Sequence, residues 1–324
     1  ATAKVWAINA YGTSAPSEAS VSFTPTAAPR GLFGGGFVSG STELVTIDYV
    51  TISSTGNATD FGDLTVGRDS ISSGSSETRG VFAGGYNGAA VGLRDTVDYV
   101  TIASTGDGTD FGDLSSRSSN GAGASNSTRL LIALGSFASA LDTIDYFTIS
   151  SPGNATDFGN LTAARNNLAA VSSSTRAAFG AGNTGSAQVN TIDYVTIGST
   201  GNASDFGDLT QAGDRPASCS SSARGLWAGR IYGSTRYNII DYITIASTGN
   251  ASDFGDLTVA RQHFGGTSSA TRGVFGGGQS DATAAEDTID YVTIASTGNA
   301  SDFGNLSQGR RALAACSSDH GGLQ

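Results

Sequence analysis

Short apolar runs broken by glycine recur along this chain at a fixed interval, and no stretch carries a convincing helical period. In its sixth copy the pattern reads RGVFGGGQSDATAAEDTIDYVTIASTGNASDFGNL. RGVFGGG is a short apolar run stopped by glycines. TIDYVTI is rich in β-branched and aromatic residues and has no breaker. ASTGNAS is a turn cluster, with Gly and Asn where positive φ is easiest. DFGNL follows it as a second short strand, so the two runs predict a hairpin. A fourth run, at 263–269 in this register, consists mainly of small residues. Four short strands in a unit of just under fifty residues predict a propeller blade.

The Asp-Tyr pair marks the register, at Asp48-Tyr49, Asp98-Tyr99, Asp145-Tyr146, Asp193-Tyr194, Asp241-Tyr242 and Asp290-Tyr291, so the spacing is 47 to 50 residues. A period in this range belongs to solenoids, propellers or arrays. Each of these Asp residues lies 12 positions before the Asp of Asp-Phe-Gly, and each Phe from Phe61 to Phe254 lies 18 before the next leading Arg. Length varies only between the glycine cluster and the Asp-Tyr pair.

The TIDYVTI run places large side chains on both faces, with Ile289 and Tyr291 on one and Val292 and Ile294 partly on the other. Blades stacked face to face would bury such a strand on both sides. The Gly/Ala/Ser runs at 121–125, 169–173, 265–269 and 314–318 fit the strand nearest the axis, where six blades converge. The first copy starts at Arg30 with the second strand of a blade, and the last ends in a small-residue run at 312–318. That run is expected to complete the first blade and remove two free sheet edges. The expected fold is therefore all-β: a six-bladed β-propeller of four-stranded antiparallel blades, closed by pairing the first and last strands of residues 30–324 and preceded by a β-hairpin.

The glycine doublet Gly277-Gly278, the strand Tyr291, the aromatic Phe303 and Arg310 together resemble the kelch repeat. The resemblance covers residues 30–324. Kelch repeats usually carry Trp at the position of Phe303 and Tyr at that of Phe275. The doublet decays in the third copy (Ala133, Leu134, Gly135) and in the fifth (Gly229, Arg230). The resemblance implies architecture and little about function, since kelch propellers serve as enzymes, adaptors and adhesins. Copper oxidases of this type need a Tyr/His metal set that His263 and His320 do not supply.

Residues 1–29 read as two alternating strands around a Gly-Thr-Ser-Ala-Pro turn at 12–16, similar to the last two strands of a fibronectin type III domain. A lone hairpin is marginal in water, so a longer chain upstream is expected, as in a modular extracellular protein. The alternative is a hairpin packed on the side of the propeller. The absence of Met fits a processed chain or a piece of a longer one.

A net charge of −11 argues against nucleic acid held through phosphates and against an anionic membrane. No run of eighteen apolar residues is long enough to span a bilayer. Cys219 and Cys316 occupy equivalent innermost strands one blade apart. A disulfide needs Cα atoms within about 7 Å, so two buried free thiols are expected. Asp-Phe-Gly recurs six times without kinase partners, and the glycine clusters lack the Gly-Lys-Ser/Thr and helix of a phosphate loop. Asn57, Asn154, Asn202, Asn250 and Asn299 match a glycosylation acceptor, but their repetition in a tight turn reads as structural. The Asp48-type and Asp60-type carboxylates are expected to bond turn backbone and recurring arginines such as Arg30 and Arg79. A calcium ring would call for a denser Asp-x-Asp motif. No catalytic set, metal site or cofactor is therefore expected.

In a four-stranded blade the b–c and d–a loops emerge on one face and the a–b and c–d loops on the other. The c–d turn is nearly identical in every copy, whereas the b–c segment changes in length and sequence. Function concentrates in loops on rigid scaffolds. The fifth b–c loop holds the densest aromatic and basic cluster, Arg230, Ile231, Tyr232, Arg236 and Tyr237. Tyr86, Asn87 and Phe137 belong to the second and third loops. Tyr and Arg are frequent hot-spot residues, though this loop could instead pack on a neighbouring blade or subunit. The combined reading is a non-catalytic structural or adhesion protein of a virion or cell surface, similar to phage tail-fibre or tail-tip proteins. Its expected partner is a surface glycan or protein receptor, or other subunits of an assembly, including further copies of itself. A secreted lectin or carbohydrate-active enzyme, and a purely architectural subunit, are the alternatives.

Overall fold

Each copy of the repeat folds into four antiparallel strands, lettered a to d outward from the axis; in the sixth blade they are Gly265–Ser268, Arg272–Gly276, Thr288–Thr293 and Ser301–Asn305. The computed structural model describes residues 28–323 apart from 39–41, 89–91, 137–138 and 281–284, and the backbone of positions 8–9 and 12–13. The protein is an all-β propeller of six such blades. Ala314–Ser317 supplies strand a of the blade whose other strands are Arg30–Gly34, Thr46–Thr51 and Thr59–Asp63, with Ala314 opposite Gly34 and Ser317 opposite Gly31. The expected closure is thus the observed one. Ahead of the ring, Ile8 pairs with Thr13 and Asn9 with Gly12, so Gly12 and Thr13 are strand where the turn was expected. The rest of the fibronectin-like assignment lies outside the described residues.

The core lies between blades. Each interface holds one apolar cluster; Leu32, Ile47 and Phe61 of the first blade meet Phe82, Val100 and Ile102 of the second. Strand b is buried on both faces after its leading Arg. On strand c the Tyr stays half-buried and packs edge-on against the strand d Phe, as in Tyr291–Phe303 at 6.0 Å. The leading Arg covers that Tyr, with Arg272 centred 4.4 Å from the Tyr291 ring, and its Nη1 donates to the Ile52 carbonyl of the next blade at 2.9 Å. All six leading arginines bond the Ile carbonyl of the following blade in this way. The glycine of Asp-Phe-Gly has a steric reason: a Cβ on Gly62 would lie 2.5 Å from the Gly106 carbonyl of the next c–d turn. Asn57 Oδ1 in turn accepts the Asn305 amide at 3.1 Å, and Asn154, Asn202, Asn250 and Asn299 repeat this role. The recurring Asn-Ala-Thr/Ser is therefore explained by blade-to-blade bonding.

The Asp of the Asp-Tyr pair is buried in every blade. Its carboxylate accepts the backbone amide and hydroxyl of a Ser or Thr from the preceding blade; Asp98 is held by Thr65 at 3.1 and 2.7 Å. A buried guanidinium neutralises five of the six, in the pairs Asp48–Arg310, Asp98–Arg68, Asp193–Arg165, Asp241–Arg230 and Asp290–Arg261, at 2.7 to 3.2 Å. The expected partners Arg30 and Arg79 are elsewhere, stacked on Tyr49 and Tyr99. The Asp60-type residues are exposed.

The fifth blade reaches the same pairing by another route. At the position of Arg68, Arg165, Arg261 and Arg310, just before its strand a, the chain has Gly213, and where the other blades carry the second glycine of the doublet it has Arg230. A Cβ on Gly213 would lie 2.8 Å from Arg230 Cδ, so the two positions share one space. For Asp145 of the third blade the corresponding position, at the end of the second blade's strand d, is Ser118, and burial raises the Asp145 carboxyl above its ordinary range against the opposing bonds from Ser115.

Two stability outcomes are expected from denaturant unfolding. R230G leaves Asp241 without its cation and costs about 3–5 kcal/mol, while G213R crowds Arg230 and costs about 1–3 kcal/mol. The double variant restores the common arrangement, so it is expected to be more stable than R230G alone; additive losses would contradict the shared space. In the second comparison, D98N strands Arg68 and costs about 3–5 kcal/mol, whereas D145N, with no guanidinium to strand, loses only one of the Ser115 bonds and costs about 1–3 kcal/mol.

Candidate functional site: the axial mouth

Between strands d and a the chain turns into the axis through one residue per blade in the left-handed region: Ser70, Asn120, Asn167, Arg215, His263 and Ala312, with φ between 54° and 60°. This turn aims the amide and carbonyl of each residue along the circumference. Asn120 N–H donates to Ser70 O, Asn167 to Asn120, Arg215 to Asn167, His263 to Arg215, Ala312 to His263 and Ser70 to Ala312, at 2.7 to 3.0 Å. The circle is complete. Left-handed backbone costs a non-glycine residue about 1–2 kcal/mol, yet none of the six positions is glycine in a chain with 46 glycines.

A second ring surrounds the first. Asp69, Asn166, Asp214, Gln262 and Arg311 form backbone bridges to Tyr86, Asn183, Ile231, Gln279 and Phe37 of the b–c loops. The d–a and b–c segments thus share one face, as alternating strand direction requires. Inside the rings, a channel of about 160 Å³ runs between the small-residue a strands. A cleft of about 310 Å³ at its mouth is lined by Phe37, Asp69, Ser70, Arg215, His263, Gln279, Arg311 and Ala312.

The charges gather on one half of the mouth. Arg311 lies over Phe37, centred 5.0 Å from the ring. Arg215 bonds Gln262 Oε1 at 3.4 Å and lies 3.9 Å from Asp214. Burial, and then the charges of Arg215 and Arg311, hold the His263 imidazole well below its usual range. Burial pushes Asp69 up to about 6, with the Ser70 hydrogen bond and Arg311 opposing and Glu43 adding to the rise. The opposite half carries the amides of Asn120 and Asn167. Arg215 Nε, His263 Nε2, Asn167 Oδ1 and Asp69 Oδ1 are shielded and meet no hydrogen-bond partner among the described residues.

The other end of the channel is uniform and closed. Strand a ends in serine in every blade: Ser75, Ser125, Ser172, Ser220, Ser268 and Ser317. Five hydroxyls donate to the previous blade's carbonyl at 2.6 to 2.8 Å, and Ser172 N–H donates to Ser220 Oγ at 3.3 Å. The chain then folds across this end as a short 3-10 turn, Gly321–Leu323. A Cβ on Gly322 would lie 1.8 Å from the Ser125 carbonyl, so only glycine fits. His320 Nδ1 accepts the Gly322 amide at 3.1 Å, leaving Nε2 beside Ser75 O and Ser125 Oγ at 3.2 Å.

The residues singled out in the sequence fall on the variable face but not as one patch. Arg230 is 0 % exposed and belongs to the Asp241 ion pair, so its surface role is corrected. Ile231 is 9 % exposed and bridged to Asp214, which removes it as well. Tyr232 is 49 % exposed at the tip of the extended hairpin formed by Arg224–Tyr232 and Thr235–Thr244. Arg236 and Tyr237 are half-buried in the same hairpin, which leans on the fourth b–c loop through Gln188. Tyr86 and Asn87 are half-buried on the second blade, across the ring from the fifth. Phe137 lies outside the described residues.

The axial mouth between these groups was not singled out from the sequence, although a signal existed. The pair of residues after the Arg68-type position is a different dipeptide in each copy, within a segment of constant length. Cys219 and Cys316 are buried free thiols, as expected, and burial pushes Cys316 up to about 12. Among the described residues no three His, Cys, Asp or Glu side chains are placed to hold a metal ion.

Fold and mouth together define a six-bladed β-propeller with a polar opening on its variable face. No protein-family model matches the chain, and no curated protein matches it.

Burial holds His320 down at about 4, against an ordinary value of 6.5. A histidine depressed on folding stabilises in its neutral form; that contribution is whole above the unfolded value and is lost as pH falls toward the folded one. H320Q is therefore expected to unfold at a lower temperature than the parent at pH 7, with the gap narrowing by pH 4. A gap independent of pH would remove His320 from the account of the plug.

Proposed function

We propose that this propeller is a non-catalytic binding module of a virion or cell-surface protein, which presents its b–c and d–a face to a surface glycan or protein receptor. One observation carries the reading. At one end of the axis all six equivalent residues are serine and the chain seals the opening, while at the other they are Ser, Asn, Asn, Arg, His and Ala around an open mouth. The six mouth residues occupy backbone positions that glycine would hold with less strain, so retained side chains there point to use. The kelch-like assignment belongs to the same proposal. It is supported by the glycine doublet, whose second member makes room for the buried Arg, and by the Tyr–Phe pairing. The tail-fibre reading is supported by near-identical repeats that put all their variety on one side.

A second reading, a carbohydrate-active enzyme, has one observation in its favour. Asp69 lies in the mouth with its carboxyl raised to about 6, a range suited to proton transfer near neutral pH.

Glycan arrays and receptor capture with variants of each face test the proposal. Y232A, Y86A and R311Q, on the variable face, are expected to weaken binding at least about tenfold in one or more cases, while T55A on a c–d turn leaves it unchanged. Binding indifferent to every variable-face change would overturn the proposal. Turnover of a bound glycan that D69N abolishes would replace it with the enzyme.

A further inference from the structure

The mouth has a polarity that goes beyond display of a face. Around the inner ring Arg215, His263 and Ala312 are consecutive, and Arg311 precedes Ala312 in the chain, so two guanidinium groups flank one imidazole. Arg311 is steadied by the Phe37 ring and Arg215 by Gln262. Both charges act on His263; Arg215 Nε, which has Asp214 Oδ1 at 3.9 Å, and His263 Nε2 are shielded and make no hydrogen bond among the described residues. Two fixed cations with donor capacity to spare, at the rim of a closed-ended polar channel, suit a carboxylate. Asn167 Oδ1, next to Arg215 around the ring, and Asp69 Oδ1, next to Arg311, are shielded acceptors with no hydrogen-bond partner among the described residues. Small residues and serines make up most of the channel wall below, with Ile71, Leu168, Val171, Phe264 and Leu313 as its larger apolar side chains.

We propose that the axial mouth binds the carboxylate of an acidic saccharide, with Arg215 and Arg311 holding the carboxylate, His263 between them, and Asn167 and Asp69 accepting from ring hydroxyls. This rests on the binding-face reading and narrows it to one site and one class of sugar. The unpartnered acceptors favour a hydroxyl-rich ligand over an acidic peptide, which would offer few donors beyond its backbone. Among the described residues Asp69 is the one carboxylate lining the cleft, and its charge opposes the ligand's.

The chain has only two histidines, so its imidazole NMR spectrum is simple, and His320 in the plug at the far end serves as an internal control. The probes are glucuronate and N-acetylneuraminate, with glucose, acetate, inorganic phosphate and an acidic hexapeptide as comparisons. The sugar acids are expected to move the His263 resonances saturably and raise its pKa, leaving His320 unmoved. R215N and R311Q place at these positions residue types that other blades already carry there, so folding is expected to survive. Each should weaken binding by about tenfold or more, and D69N should strengthen it.

An unmoved His263, or sugar-acid binding that R215N and R311Q leave intact, would overturn the proposal. Acetate, phosphate or peptide binding as tightly as the sugar acids would overturn its saccharide class. None of these failures touches receptor binding through Tyr232 or Tyr86, which stands or falls by Y232A and Y86A, so the two readings fail separately.

Discussion

Six backbone hydrogen bonds, each from the first inner residue of one blade to that of the blade before, close a circle at the mouth of the axis. The circle fixes the relation between blades with main-chain atoms alone. Side chains at those six positions take no part in this joint, and they vary from blade to blade. At the opposite end the blade-to-blade bonds run through serine hydroxyls, and there the residue does not change. Variability along the axis thus follows from which atoms make the joint. A binding face on this protein is a consequence of building one ring from backbone and the other from side chains.

The same logic governs the buried carboxylates. What is kept from blade to blade is an ion pair in a given volume, not an arginine at a given position. Arg230 enters that volume from strand b because Gly213 has vacated it just before strand a. An unpaired buried charge is strongly destabilising, while the direction from which its partner arrives matters little. The third blade relaxes the demand and leaves Asp145 to the hydroxyl and amide of Ser115. Paired substitutions within one chain therefore carry information that a single repeat does not.

Much of the architecture was legible without coordinates. The constant spacing of Asp-Tyr and Asp-Phe-Gly gave the number of blades, and the leftover small-residue strand at 314–317 gave the closure. Both rest on local regularity and on the need to remove free sheet edges. The site was less legible. Aromatic and basic residues in the fifth loop drew attention to Arg230, which burial in an ion pair explains. The mouth residues Asp69, Arg215, His263 and Arg311 come from four separate copies and stand in runs that look like connecting turns.

The sequence by itself determined the repeat, its four strands, the ring of six and the contrast between one monotonous and one varied face, because strand patterning and turn chemistry act over a few residues. Only the tertiary structure decided which arginine neutralises which aspartate, that the last residues seal one end of the axis, and that charged groups from separate copies of the repeat meet around the other. Closing the ring is what brings those distant positions to a common centre, and no local pattern encodes the distance between them.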